Sequence, residues 1–210
     1  MMGVAADFIL IFAYMLGSVP FGLVITHLAG LGDIRAIGSG NIGATNVLRT
    51  GRKDLALLTL LLDAGKGAIA VGLTAWLVEP GIAPLAGAVA FMGHCFPIYL
   101  GFKGGKGVAT FFGTLLAISP ATMGATALIW VVVAAITRYS SLAALVAAVA
   151  APLLSAYLFP SDKVLLWPFI LVMTIVIFIR HKDNIGRLIK GTESRIGKKS
   201  EAAPEKPEGE

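Results

Sequence analysis

The sequence predicts an all-α integral membrane protein, a polytopic bundle of about seven transmembrane helices of which one is short. Three observations support this fold class. First, 57% of the 210 residues are hydrophobic and 14% are charged, whereas soluble domains have roughly 45–50% apolar and about 25% charged residues. Second, apolar segments alternate with short polar breaks along most of the chain. Third, the basic residues gather in alternate breaks, which is typical of membrane proteins.

Each apolar segment is a candidate membrane-spanning helix because it approaches the ~20 residues that cross a bilayer. The predicted spans cover residues 4–28, 55–78, 83–100, 107–119, 121–137, 142–159 and 164–180. The fourth segment is too short for a full crossing, so five to seven spans are expected and seven are preferred. The first segment is interpreted as a membrane helix and not as a signal peptide, since its start contains no Lys or Arg and its apolar run is long.

The distribution of Lys and Arg orients the predicted bundle. With an outer N-terminus and seven crossings, residues 29–54, 101–106, 138–141 and the tail from Arg180 face inward, and they contain 15 of the 17 basic residues. The positive-inside rule therefore predicts an outer N-terminus and a cytoplasmic C-terminus. The net charge of +5 is interpreted as this topology signal and as an attraction for anionic membrane lipid, not as a sign of nucleic-acid binding.

The polar, glycine-rich stretch from Ala36 to Asp54 reads AIGSGNIGATNVLRTGRKD and lies between two apolar segments. Glycines permit positive φ and close backbone approach, so successive N–H groups can form an anion-binding nest. Ser, Thr and Asn side chains add neutral donors, and a following helix N-terminus adds partial positive charge. A flexible linker is the alternative, but a linker does not need two Asn and an Arg at helical spacing. The stretch is therefore predicted to surround a phosphate.

Three further polar stretches, residues 102–110, 137–142 and 180–193, fall on the same predicted side of the membrane. The lysines of KGGKG lack the spacing of a nucleotide-binding P-loop, so they are interpreted either as phosphate contacts or as positive-inside anchors. His181 is a candidate pH-sensitive base, a candidate phosphate donor or an interfacial polar residue. Loops that are distant in sequence can converge into one pocket on one membrane face.

Charged residues within the predicted spans are few. Asp63 and Lys66, at i and i+3, can pair on one helix face. A structural pair that supports the site is preferred over an ion relay, although buried ionisable groups are functional candidates by default. His94 is interpreted as a structural hydrogen-bonding residue.

The remaining features limit the domain organisation and the cofactors. Residues 1–197 are expected to form one membrane domain, and the charged, Pro-containing residues 198–210 are expected to be disordered. The single cysteine, Cys95, excludes an intrachain disulfide. No group of residues has metal-ligand spacing, so neither a metal nor another cofactor is expected.

Three long motifs, GSGNIGATNVLRTG, GHCFPIYLGFKGGKGVAT and RHKDNIGRLIKGTE, together resemble the bacterial acyl-phosphate:glycerol-3-phosphate acyltransferases, the PlsY family. GSVPFG, DAGKG and TRYSSL support the resemblance, which extends from the first span to Glu193. The resemblance implies a multi-pass enzyme of the bacterial inner membrane whose active site faces the cytoplasm. Such an enzyme transfers a fatty acyl group from acyl phosphate to the 1-hydroxyl of sn-glycerol 3-phosphate. The products are lysophosphatidic acid and phosphate, in the first step of phospholipid synthesis. The enzyme that makes acyl phosphate is a candidate partner.

The resemblance and the loop chemistry together give candidate site residues. Candidate acyl-phosphate ligands are Gly38, Ser39, Gly40, Asn41 and Gly43. Candidate catalytic residues are Ser39, Asn41, Thr45, Asn46 and His181. Candidate glycerol-3-phosphate ligands are Arg49, Lys103, Gly104, Gly105, Lys106, Ser141, His181 and Asn184. An acyl phosphate is already activated, so positioning and charge stabilisation are the main catalytic tasks.

Two other functions compete with this one. None of His27, His94 and His181 is followed by an Asp five residues later, which argues against a thioester-using acyltransferase with a His-x4-Asp base. A transporter or channel for a phosphorylated solute would use similar loops, but it predicts polar residues through the depth of several spans. A non-catalytic membrane scaffold leaves the glycine-rich donor motifs unexplained.

Overall fold

The computed structural model describes residues 2–158 and 166–197, which are helical and contain no β-strand. The ten α-helices in this part of the chain are α1 (Met2–Ser18), α2 (Phe21–Leu28), α3 (Ala44–Val47), α4 (Lys53–Leu77), α5 (Ala83–Cys95), α6 (Val108–Ile118), α7 (Pro120–Thr137), α8 (Ser140–Leu158), α9 (Leu166–Arg180) and α10 (Lys182–Ile189). Short 3₁₀ turns occupy Ile34–Ala36, Leu48–Thr50, Pro80–Ile82 and Ile98–Leu100. The predicted all-α fold class is confirmed for the described residues.

Every predicted span contains an apolar helix. Among the described residues, the helical stretches Lys53–Leu77, Pro80–Leu100, Pro120–Thr137 and Ser140–Leu158 are long and apolar enough to cross a membrane. The pair formed by α1 and α2 makes a fifth candidate. The fourth predicted segment is short, as expected, because α6 has 11 residues, and α9 has 15. Seven crossings therefore remain a prediction, and the predicted tail at 198–210 lies outside the described residues.

The first predicted span is not one continuous helix. Helices α1 and α2 are bent by 45° at the break between them. Pro20 explains the break, since proline has no N–H to donate and disfavours helical backbone at the residue before it, here Val19. The bend turns α2 away from the axis of α1, and the chain then enters the glycine-rich stretch.

Small residues allow the helices to approach closely, as is common in membrane bundles. A side chain at Gly17 would collide with the backbone of Ala90, which brings α1 against α5. A side chain at Gly113 would collide with the backbone of Ala64, which brings α6 against α4. These contacts fix α1, α4, α5 and α6 as one tightly packed group.

The main apolar core lies between α5, α6, α8 and α9. Its largest fully buried side chains are Phe91, Phe111, Leu115, Ile170, Met173 and Ile177. Ile185 and Leu188 of α10 pack against the same cluster. Helix α10 is thereby anchored across the end of the bundle, next to the polar loops.

Candidate active site

Three of the predicted polar stretches meet at one end of the bundle. They enclose a cavity of about 200 Å³. Its polar lining comes from Ser39, Gly40, Asn41, Gly104, Lys106, Arg180, Lys182 and Asp183. These residues lie after α2, between α5 and α6, and where α9 ends and α10 begins. Residues far apart in sequence therefore converge, as the sequence analysis allowed.

Asn46 organises the glycine-rich stretch from within. Its side chain is 1% exposed, and its Nδ2 donates to the carbonyl of Ile34 over 2.7 Å. Its Oδ1 accepts the N–H of Ser39 at 3.1 Å and lies 3.4 Å from an Nη of Arg49. Because both ends of the amide are engaged within the protein, Asn46 holds Ser39 and Arg49 in place. These contacts are those of a positioning residue, and the catalytic role of Asn46 stays a prediction.

The glycines of this stretch adopt the expected left-handed conformation, with φ of 59° at Gly38 and 68° at Gly40. The N–H of Gly40 closes a turn with the carbonyl of Ile37, at 3.0 Å. The hydrogen bonds among the described residues leave the N–H groups of residues 41–45 unused. Residues 41–45, which include the first N–H groups of α3, therefore offer backbone donors to a ligand.

Five of the predicted site residues line the cavity: Ser39, Gly40, Asn41, Gly104 and Lys106. Thr45 is exposed, and its hydroxyl lies 3.5 Å from that of Ser140, which joins the start of α3 to the start of α8. Lys103 is also exposed and does not line the described cavity. Of the two lysines in KGGKG, only Lys106 faces this site.

The glycine pair of KGGKG is fixed by hydrogen bonds within the protein. Arg180 donates from Nε to the carbonyl of Gly105 over 2.9 Å and from Nη2 to the carbonyl of Gly104. The N–H of Gly105 donates in turn to the carbonyl of His94, at 3.0 Å. The guanidinium of Arg180 also lies 5.5 Å from the centre of the Phe96 ring. The backbone N–H of Gly105 is therefore engaged within the protein, and the two glycines permit the close packing that places Lys106. The ligand roles of Gly104 and Gly105 stay predictions.

A second cluster surrounds the carboxylate of Glu193. Ser141 donates to Glu193 Oε1 over 2.8 Å, and Asn184 Nδ2 donates to the same oxygen over 2.6 Å. Arg187 Nε donates to Oε2 over 2.7 Å. Lys106 Nζ reaches Asn184 Oδ1 at 2.5 Å. The predicted ligands Lys106, Ser141 and Asn184 are thus brought together.

Arg49 extends this cluster across the site, because an Nη group donates to the hydroxyl of Ser194. Burial lowers the pKa of Arg49, although the Glu193 carboxylate opposes the shift. Burial also lowers the pKa of Lys106 to about 8, and the guanidinium of Arg187 adds to the effect. At Glu193 burial would raise the pKa, but the hydrogen bonds from Asn184, Ser141 and Arg187 outweigh it and the pKa is lowered. Two partly buried cations, Arg49 and Lys106, therefore lie near one carboxylate.

His181 lies in the turn between α9 and α10 and is 2% exposed. Its Nδ1 lies 2.8 Å from the carbonyl oxygen of Ile177. A carbonyl only accepts hydrogen bonds, so Nδ1 carries the proton and Nε2 of the neutral ring keeps its lone pair. Burial, together with the charge of Lys106, lowers the pKa of His181 to about 4. At neutral pH the ring is uncharged and offers an acceptor at Nε2.

The site contains residues to which the sequence analysis gave no role. Arg180 fastens the KGGKG loop, and Glu193 with Arg187 and Ser194 organises the opposite wall. All four lie within the polar run that follows α9 or directly after it. This polar run was the sequence feature that could have pointed to a role for these residues. A basic residue at the end of a membrane helix, however, was equally well explained as a positive-inside anchor.

A helical bundle with several apolar spans and a polar, cation-lined cavity at one end defines a class: an integral membrane protein with a site suited to small anions. Residues 8–191 match the glycerol-3-phosphate acyltransferase family. The chain is 59% identical over 190 residues to the glycerol-3-phosphate acyltransferase of Jannaschia sp. (strain CCS1), covering 90% of this chain and 91% of the relative. It is 56% identical over 191 residues to that of Sinorhizobium fredii, with 90% and 92% covered. The chain belongs to the glycerol-3-phosphate acyltransferase family.

Solved structures agree with this assignment. The crystal structure of PlsY, an integral membrane glycerol 3-phosphate acyltransferase, in its glycerol 3-phosphate form superimposes with a TM-score of 0.86 at 38% identity. The match covers 92% of this chain and 96% of that one. The lysophosphatidic acid form of PlsY gives a TM-score of 0.84 over the same shares.

Proposed function

We propose that this protein transfers a fatty acyl group from acyl phosphate to the 1-hydroxyl of sn-glycerol 3-phosphate, giving lysophosphatidic acid and inorganic phosphate. The observation that carries the proposal is the meeting of two groups of anion-suited donors at one cavity. Ser39 and Asn41 lie on one side, and Lys106 lies on the other next to Asn184. The solved relatives with glycerol 3-phosphate and lysophosphatidic acid support the acceptor and the product.

The acyl-phosphate group is assigned to the glycine-rich stretch. The free N–H groups of residues 41–45 can hold its phosphate without a full opposing charge, and the hydroxyl of Ser39 can join them by leaving its 3.3 Å contact with Asn46 Oδ1. Gly38 and Gly40 let the backbone adopt this shape, Gly43 is extended just before α3, and Asn46 fixes Ser39. Donors held in advance stabilise the charge that develops as the acyl–oxygen bond to phosphate breaks.

The phosphate of glycerol 3-phosphate is assigned to Lys106 and Arg49, with Ser141 and Asn184 as neutral neighbours. Both cations are partly buried, so a bound phosphate would gain more from them than from exposed lysines. Lys103, which is exposed and outside the cavity, is assigned the alternative role of positive-inside anchor.

In the proposed reaction, the glycerol hydroxyl oxygen attacks the acyl carbonyl, the new ester bond forms, and the bond to phosphate breaks. His181 Nε2 is the acceptor that orients the hydroxyl. A neutral ring whose Nδ1–H is already engaged has no second N–H for a phosphate. A pKa of about 4 also makes His181 a weak base, so the proton is proposed to leave with the departing phosphate.

The positive-inside charge pattern supports the proposal that the site lies at the cytoplasmic face of a bacterial inner membrane. Acyl phosphate is a reactive mixed anhydride, which favours close supply by the enzyme that makes it. A transporter remains the rival function. It is disfavoured because the buried charges of α4, Asp63 and Lys66, pair with each other at 2.9 Å and do not line a path.

Purified protein incubated with glycerol 3-phosphate and either acyl phosphate or acyl-CoA tests the proposal. Lysophosphatidic acid and free phosphate should appear in equal amounts with acyl phosphate, with little product from acyl-CoA. Lys106→Ala should weaken the reaction, while the matched variant Lys103→Ala should leave it nearly unchanged. Comparable turnover with both donors would refute the donor, and glycerol 3-phosphate flux into liposomes without product would favour the transporter.

A further inference from the structure

A buried ionic trio lies beside the site without lining its cavity. Asp63 and Lys66 on α4 are each 1% exposed, and His94 on α5 is 4% exposed. Lys66 Nζ lies 2.9 Å from Asp63 Oδ1, which confirms the predicted pair. His94 Nδ1 lies 3.5 Å from the same oxygen. His94 on α5 therefore lies beside the ion pair of α4, although its Nδ1 makes no hydrogen bond within the described part of the chain.

Lys66 also reaches the break in the first span. Its Nζ donates to the carbonyl of Val19 over 3.0 Å and lies 5.6 Å from the centre of the Phe21 ring. Helix α2 starts at this break and supports the glycine-rich stretch, since a side chain at Gly22 would collide with the carbonyl of Ile42. Lys66 thus fixes the helix on which the first substrate loop rests.

His94 supports the second substrate loop. Its carbonyl accepts the N–H of Gly105 at 3.0 Å. Its ring occupies the space that a side chain at Gly105 would need, and its carbonyl occupies the space beside Gly104. The loop that places Lys106 therefore packs against His94 and is hydrogen-bonded to its carbonyl.

Charges are costly in the interior of a membrane, and well-packed apolar residues often stabilise a fold at least as well as a buried ion pair. Stability alone therefore does not explain three ionisable groups at this position. We infer that Asp63, Lys66 and His94 are positioning residues that connect the α1–α2 break to the Gly104–Lys106 loop and so set the separation of the two substrate loops. The inference rests on the proposed function, in which each loop holds one phosphorylated substrate.

Two variants test the two connections of the trio separately, one from Lys66 to the α1–α2 break and one from His94 to the Gly104–Lys106 loop. Asp63→Asn/Lys66→Met removes both charges together, so no uncompensated charge stays buried, and it releases the α1–α2 break. A misplacement of about 1 Å between reactants costs about 100-fold in rate, so kcat should fall about 100-fold. His94→Phe keeps a ring but loses its nitrogens, and the KM for glycerol 3-phosphate should rise ~10-fold as Lys106 shifts. Lys66→Arg, which keeps the charge and N–H donors, should retain more activity than the double variant.

The separation of the loops is also measured directly, independently of catalysis. Spin labels at Arg35→Cys and Lys103→Cys, both exposed, report the distance between the loops by double electron–electron resonance in a Cys95→Ser background. The distance distribution should shift or broaden in the double variant and in His94→Phe. Thr174→Val is the matched control: it removes a buried hydroxyl that bonds to Ala148 and Ile170 within the bundle. It should lower the melting temperature and leave the distance and KM unchanged.

Unchanged distances and unchanged kcat and KM in the folded trio variants would overturn the inference, even if their melting temperatures fell. Altered distances in a protein whose wild type makes no lysophosphatidic acid would support the positioning role and refute the proposed function. The two failures are thereby distinguishable.

Discussion

Gly38 and Gly40 share a left-handed backbone but differ in their surroundings, which makes Gly38→Ala and Gly40→Ala an informative pair. An L-residue in this conformation costs roughly 1–2 kcal/mol, so both variants should lose similar stability. At Gly40 the new Cβ would meet only the carbonyl of Arg35, at 3.3 Å. At Gly38 it would lie 2.5 Å from an Nη of Arg49 and 2.7 Å from Asn46 Oδ1. Arg49 must therefore move in Gly38→Ala alone.

Displacing Arg49 removes a charge-assisted contact, which typically contributes ~1.5–3 kcal/mol. The KM for glycerol 3-phosphate should therefore rise roughly 10–100-fold in Gly38→Ala and little in Gly40→Ala. Initial rates of lysophosphatidic acid formation at varied glycerol 3-phosphate measure this difference, with melting temperatures as the stability control. Arg49→Ala should add little to Gly38→Ala, because both remove the same contact. Equal KM values in the two glycine variants, or additive effects with Arg49→Ala, would refute the reasoning.

Further predictions concern Lys106, His181 and the membrane orientation. Lys106→Ala should raise the KM for glycerol 3-phosphate ~10–100-fold with kcat nearly unchanged. In the wild type this KM should rise above about pH 8, where Lys106 loses its proton. A KM that does not change with pH would contradict the assignment of Lys106. His181→Ala should mainly raise the same KM, whereas a kcat loss of ~10²–10⁴-fold at unchanged KM would identify a general base. Because the pKa of His181 is lowered to about 4, protonation of His181 favours unfolding. The contribution of neutral His181 to stability should be complete above about pH 6.5 and decrease toward pH 4. In thermal unfolding experiments, His181→Gln should weaken this pH dependence. In intact cells with a Cys95→Ser background, a cysteine at position 80 should react with an impermeant reagent and one at position 53 should not; the reverse pattern would refute the orientation.

The positions of the helices were predictable because a chain in lipid must satisfy its backbone hydrogen bonds internally, and long apolar stretches then form helices. The bend after Ser18 was missed for a related reason. Pro20 lies within a continuous apolar run, and hydropathy alone does not distinguish a broken helix from a straight one. The proline itself was the available signal, since it disfavours helical backbone at Val19.

The backbone conformation of the glycine-rich loop was also predictable, but the hydrogen-bond partners of individual loop residues were not. Glycine spacing predicted the left-handed conformations at Gly38 and Gly40. The inward turn of Asn46 depends on the carbonyl of Ile34, and the engagement of the Gly105 N–H depends on His94. Both are tertiary contacts that residue types and spacing do not encode.

The predicted position of the N-terminus relative to the site is the same whether the chain crosses the membrane five or seven times. Helix α6 starts from the site end at Val108, and α7 returns to it, where the carbonyl of Arg138 accepts the N–H of Ile196 over 2.7 Å. The two helices therefore leave and return together, whether the 11-residue α6 crosses fully or only enters the bilayer. We therefore predict either five or seven crossings, and both numbers are odd. Helix α1 ends close to the site, since the backbone of Ser18 packs against Gly93, so we predict that Met2 lies on the opposite side of the membrane from the site in both cases.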